Sequence, residues 1–265
     1  MTEPNAEQPA SRPPEKVAPQ EPVQMSEMGT IAGIFFEPGR VFEDLRRKPR
    51  FIIASVIIAA CVTAYVFTLY QKVGEPGMRS FMAEQMDKSP QTQSLTAEQK
   101  KGAIDMQMTI QNVTRYVMPV FVFISLLIGG LLYWAAAKAF GGSGGFLHNM
   151  AVWIYGSLPP TVVGTLASIL ILVLKPTDEI NIAASQRTAI HANPSFFIDG
   201  AQSPVLATLL ATLDVFFIWG WILAAIGLRI TNKISSGSAW AIVVIFGLIG
   251  TALRIVGAYF SGNPT

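Results

Sequence analysis

Residues 51–71 read FIIASVIIAACVTAYVFTLYQ, a stretch without one charged side chain. At about 1.5 Å per residue a helix of about 20 apolar residues crosses the ~30 Å hydrocarbon core of a bilayer. Four more charge-free runs follow, at 116–137, 139–174, 215–228 and 234–253. The 265-residue chain is 51% apolar and 14% charged, against the ~25% charged residues usual in soluble domains. These counts exclude a disordered chain and speak against a soluble enzyme. The fold class they predict is an all-α membrane protein with five transmembrane helices.

Gly141-Gly142-Ser143-Gly144-Gly145 is loop chemistry inside the longest run, so the third span is expected to start near Met150. The spans then fall at about 51–70, 116–137, 150–174, 204–228 and 238–259, within a domain of 51–260. Residues 1–25 hold six prolines among acidic and amide side chains, a composition that reads as a disordered tail and not as a signal peptide. Between tail and spans, residues 26–50 carry Met28, Ile31, Ile34 and Phe35, and then Val41, Phe42 and Leu45, at helical spacing. Two short amphipathic helices lying on the bilayer surface are predicted, each side of the break at Glu37-Pro38-Gly39. A pair of helices packed on the spans is the competing reading.

Arg46, Arg47, Lys48 and Arg50 form a basic flank just ahead of the first span. Its density sets the expected orientation: N-terminus in the cytoplasm and C-terminus outside. The connection 72–115 would then be an outer helical segment, with Met78, Met82 and Met86 on one face and a Thr96-x-x-Gln99 capping box opening a helix into the second span. The connection 175–203 reads as irregular loop.

Chemistry is sparse. Asp214 and Arg254 are the charges expected within spans, and a carboxylate at membrane depth calls for a partner. Pairing between the fourth and fifth spans is the expectation, structural in the first instance and otherwise part of a proton or substrate path. Pro159-Pro160 in the third span predicts a helix break, because each proline removes a backbone donor. The methionine face reads as packing before it reads as a Cu(I) site. His148 and His191 stand apart from any ligand partner, and Cys61 is the one cysteine, so neither a metal nor another cofactor is expected. Gly141–Gly145 follows no strand and lacks the Gly-Lys-Ser/Thr ending of a phosphate loop. Gly220 with Ala224, and Gly247 with Thr251, are small pairs suited to close helix approach. No nucleophile with its base and no acid–base couple can be assembled, so the chain is not expected to be an enzyme. It also lacks the dense basic face that nucleic acid requires.

The stretch Phe36-Glu37-Pro38-Gly39-Arg40-Val41-Phe42-Glu43-Asp44-Leu45-Arg46-Arg47-Lys48-Pro49 resembles the lead-in of the Yip-one (Ypt-interacting protein) domain family of five-span membrane proteins. Tyr155 to Pro160, Leu213 to Trp219, and Ile226 to Arg229 followed by Ser236 to Ala239 are similar to its later blocks, over about residues 33–258. The resemblance implies a cytoplasmic N-terminus, five helices and no enzymatic activity; its eukaryotic relatives act in vesicle trafficking with small GTPases. The chain lacks the Asp-Leu-Tyr-Gly-Pro stretch of that branch and has a larger segment between its first two spans. It is thus more similar to prokaryotic members, and a GTPase partner is not carried over. The function expected is a non-enzymatic scaffold, trafficking or bilayer-organising factor in the bacterial inner membrane (an endomembrane in a eukaryote). Its expected partners are the bilayer and other membrane proteins or a second copy. The alternative is a small transporter or channel whose path passes Asp214 and Pro159-Pro160.

Overall fold

The computed structural model describes residues 25–261 apart from positions 90, 91, 93, 186, 187, 191 and 199–201. The expected disordered tail lies outside the described residues except for Met25, and His191 lies outside them as well. Among the described residues all regular structure is helical: α1 (Glu27–Gly33), α2 (Pro38–Arg47), α3 (Ile52–Lys88), α4 (Ala97–Ala139), α5 (Phe146–Leu174), the single turn α6 (Ile182–Ser185), α7 (Pro204–Ala211), α8 (Val215–Asn232) and α9 (Ser236–Ser261). Five of them, α3, α4, α5, α8 and α9, are long and apolar enough to cross a membrane.

Local chemistry sets several boundaries. Ser26 caps α1 by accepting a hydrogen bond from Gly29 N at 3.0 Å, and Pro38 opens α2, where a missing N–H does no harm. Thr96 and Gln99 make the reciprocal capping box at the start of α4. That helix then runs without interruption through the second span. The helix of the first span likewise continues past its apolar stretch to Lys88, turning at Gly74, whose φ of 71° only glycine adopts without strain. The far halves of α3 and α4 therefore form a hairpin beyond the apolar spans. Arg79–Asp105 (2.5 Å) and Lys100–Asp87 (2.6 Å) bridge it on its surface. Inside, Met78, Met82 and Met108 are buried with Tyr65, Leu69, Val73 and Leu172, so the methionine face is packing, with Met86 half-buried beside it.

The main core is built on α5, which packs against α3, α4, α8 and α2. Small residues bring these helices together: Gly156 lies against Ala224, the Trp153 indole covers Gly129, and Trp221 covers Gly247. Of the small residues picked out in sequence, Ala224 lies against Gly156, Gly220 against the Gly156 carbonyl and Gly247 against Trp221, while Thr251 donates to Thr212 Oγ1.

Two expectations need correction. The lead-in does not spread its apolar side on the bilayer surface. Val41, Phe42 and Leu45 are fully buried, α2 packs on α8 and α5, and Phe42 sits over Gly227 so closely that an added Cβ there would lie 2.8 Å from the ring. Burial of such a side chain is worth about 1.5–3 kcal/mol, which a hydrophobic notch between spans offers and loose contact with headgroups does not. Met28 and Phe36 remain exposed to whatever surrounds this end. The stretch 204–228 is also not one span. α7 ends at Ala211 and α8 starts at Val215, with Asp214 at the break.

Candidate functional site

Arg50 sits in the extended link between α2 and α3, and its side chain turns back toward the lead-in. Its Nη2 donates to Asp44 Oδ2, to Thr30 Oγ1 at 2.5 Å and to Met25 O at 2.9 Å. Asp44 belongs to the buried side of α2, with its side chain 3% exposed, and Arg50 is 15% exposed. One guanidinium thus joins α1, α2 and the entry to the first span. A buried pair of this kind loses several kcal/mol per ion in desolvation, so it adds little net stability while both partners are present and destabilises strongly when one is removed. Beside it the His148 ring Nε2 lies 3.1 Å from Arg46 O, which ties the start of α5 to the end of α2.

The basic flank is therefore divided. Arg50 faces inward and is a structural tie, a correction to its grouping with the other bases of the flank. Arg46 pairs with Glu43 at 2.9 Å on the surface of α2. Arg47 and Lys48 are exposed at the end of the same helix. Because α2 is wedged against α8, these two side chains project from a fixed platform.

A second polar centre lies where the first turn of α5 meets the last turn of α8. Asn149 and Asn232, at 0% and 1% exposure, exchange two amide hydrogen bonds of 3.0 Å. Asn149 Nδ2 also donates to Gly145 O at 3.0 Å, and Ser143 N donates to Asn232 O at 2.9 Å. Two of the loop's glycines are required by close packing at this contact. A Cβ on Gly144 would lie 2.4 Å from Asn232 Oδ1, and one on Gly142 would lie 2.7 Å from Ala137 O. Neither amide was singled out from the sequence. The signal was present: a neutral amide within one turn of each of two span ends, beside a loop too rich in glycine to be explained by turning alone.

Asp214 is the N-cap of α8. Its Oδ1 accepts from Phe216 N at 2.8 Å and its Oδ2 from Asn193 Nδ2 at 3.0 Å. Arg254 on α9 has its Cζ 4.6 Å from the centre of the Phe217 ring. The expected Asp214–Arg254 ion pair is replaced by a cap and a cation–π contact. The physical reason is local: an aspartate at a helix start finds free backbone N–H groups two and three residues ahead, and here the first of these and the Asn193 amide satisfy it without a distant cation.

Pro159 and Pro160 do not interrupt α5, which stays helical from Phe146 to Leu174. Pro160 leaves Gly156 O without its helical donor, and that oxygen faces Gly220, where an added Cβ would come within 3.4 Å. One turn earlier the Ser157 hydroxyl donates to Trp153 O at 2.8 Å. The freed carbonyl is thus packed against a helix position that has no side chain to crowd it. Among the described residues, no group of three His, Cys, Asp or Glu side chains could hold a metal ion.

Against known proteins, the model of the Yip1 domain family matches residues 32–256. The membrane protein YknW of Bacillus subtilis (strain 168) is 27% identical over 247 residues, covering 89% of this chain and 91% of that protein. No solved structure matches the chain.

Proposed function

The chain belongs to the Yip1 domain family of membrane proteins, and from that premise we propose that it is a non-enzymatic scaffold that organises the bilayer or partner membrane proteins through the rigid end formed by α1 and α2. The observation that carries this reading is the docking of α2 into the notch over Gly227, held by Arg50, with Arg47 and Lys48 at its exposed end. A fixed pair of cations suits recognition of anionic lipid headgroups or of an acidic segment of a partner, at about 1 kcal/mol per basic residue near an anionic surface. The basic end faces the cytoplasm on this reading, with the C-terminus outside, and the bacterial inner membrane is the site of action. No small GTPase is invoked.

The transporter alternative drew on Asp214 and Pro159-Pro160; the one caps a helix and the other lies in an unbroken one. Reconstitution in proteoliposomes tests the choice. No proton or solute flux is expected, and flux abolished by Asp214→Asn would overturn the scaffold reading. Charge reversal by Arg47→Glu with Lys48→Glu should weaken retention of anionic lipid by the purified protein while leaving its helical content unchanged.

A further inference from the structure

The exposed side of α4 carries a second pattern. Met106, Ile110 and Val113 are 67%, 57% and 59% exposed, and they are spaced four and three residues apart. Val117, Val120, Ile124, Leu127 and Leu131 continue the same alternation of three and four, all of them exposed. This is the spacing of a left-handed coiled-coil seam, in which one narrow stripe stays against a partner helix along its whole length. The opposite side of α4, with Met108, Val122 and Gly129 at multiples of seven, is the side packed on this chain's own helices. The seam is therefore left without a partner inside the protein.

Lipid can cover only part of it. Counting about 20 residues from Lys138, the charged end of the helix, a ~30 Å hydrocarbon core reaches about Met118. Met106, Ile110 and Val113 lie beyond that point, on the same hairpin as the exposed ion pairs Arg79–Asp105 and Lys100–Asp87. Apolar side chains in that aqueous setting call for a protein surface. The residues flanking this part of the seam, Gln107, Thr109, Thr114 and Tyr116, are uncharged, so two identical helices can lie side by side without bringing like charges together. Two copies in one membrane, related by a twofold axis along the bilayer normal, also present their α4 helices parallel and in register.

We propose that α4 is the self-association surface of this protein, and that two copies pair their α4 seams from Met106 to Leu131 as a parallel two-stranded coil running from the hairpin into the membrane. The test uses the full chain in native membranes with Cys61→Ser, which removes the one thiol in the sequence. Under mild oxidation Ile110→Cys and Val113→Cys are each expected to give a disulfide-linked dimer of the chain, whereas Lys101→Cys, off the seam, gives little. Equal dimer at all three positions, dimer at none, or linkage of the seam positions to a different protein overturns the proposal. Two differently tagged copies supply an independent measurement. Ile110→Glu with Val113→Glu should lower their co-purification about tenfold, a loss of about 1.4 kcal/mol, and unchanged co-purification of a double variant still found in the membrane fraction overturns it as well.

Discussion

At one end of the bundle Phe42 fills the notch over Gly227, Arg50 is tied to Asp44, and Asn149 is paired with Asn232; at the other, the α3–α4 hairpin is bridged by surface ion pairs and leaves Met106, Ile110 and Val113 in the open. Both ends follow from the same amphipathic chemistry. The difference is what covers the apolar side. The α1–α2 end buries its apolar face within the chain and joins the Arg50 guanidinium there to Asp44 and Thr30. The hairpin end buries one face of α4 and leaves the opposite face to a surface outside the chain. The first arrangement makes a rigid platform, and the second leaves a helix ready to associate.

The largest effects are expected at the first end. Phe42→Ala should destabilise the protein by about 3–5 kcal/mol, read as a lower thermal transition in detergent together with faster proteolysis in residues 26–50. Asp44→Leu should cost a similar ~3–5 kcal/mol because it leaves the Arg50 charge buried without its carboxylate, and adding Arg50→Met should recover most of that loss. If the double variant is no better than the single one, Arg50 is not acting as an internal tie. Asn149→Ala should cost about 1–3 kcal/mol, since Asn232 then keeps a buried amide with fewer partners, and chemical denaturation would show it. Asp214→Ala should cost about 0.5–2 kcal/mol as a lost helix cap, with the same value whether or not Arg254 is replaced by Met. Strong coupling between those two substitutions would restore the ion-pair reading. The smallest effect is expected at the hairpin, where Arg79→Ala should change stability by about 0–1 kcal/mol because its partners are open to solvent.

Much of this was legible along the chain and some was not. The five charge-free runs mark the spans because hydrocarbon tolerates no unpaired charge and demands a minimum length, both of which are properties of consecutive residues. The Thr96–Gln99 box was legible for a like reason, since cap and helix lie three residues apart. The role of Asp214 is hidden in the sequence because apolar residues on both sides of it make residues 204–228 look like one span, while the break depends on a hydrogen bond two residues ahead and on Asn193 from a loop. Pro159 and Pro160 predicted a break because the sequence does not reveal that the freed carbonyl faces Gly220 on another helix.

Arg50 makes the point most sharply. In sequence it is the fourth base of a flank, indistinguishable in kind from Arg47. In the fold it reaches Thr30 and Asp44 because α1, α2 and the start of α3 converge on it.

What the sequence alone determined about this protein is its solvent: an all-helical chain whose apolar runs match a bilayer, with amphipathic segments at each end. Composition and period suffice for that, because transfer of a side chain out of water depends on the side chain itself. Which apolar face meets its own chain, which charge becomes a tie and which helix side stays open were decided only by the tertiary structure, because those outcomes depend on neighbours that lie tens of residues away.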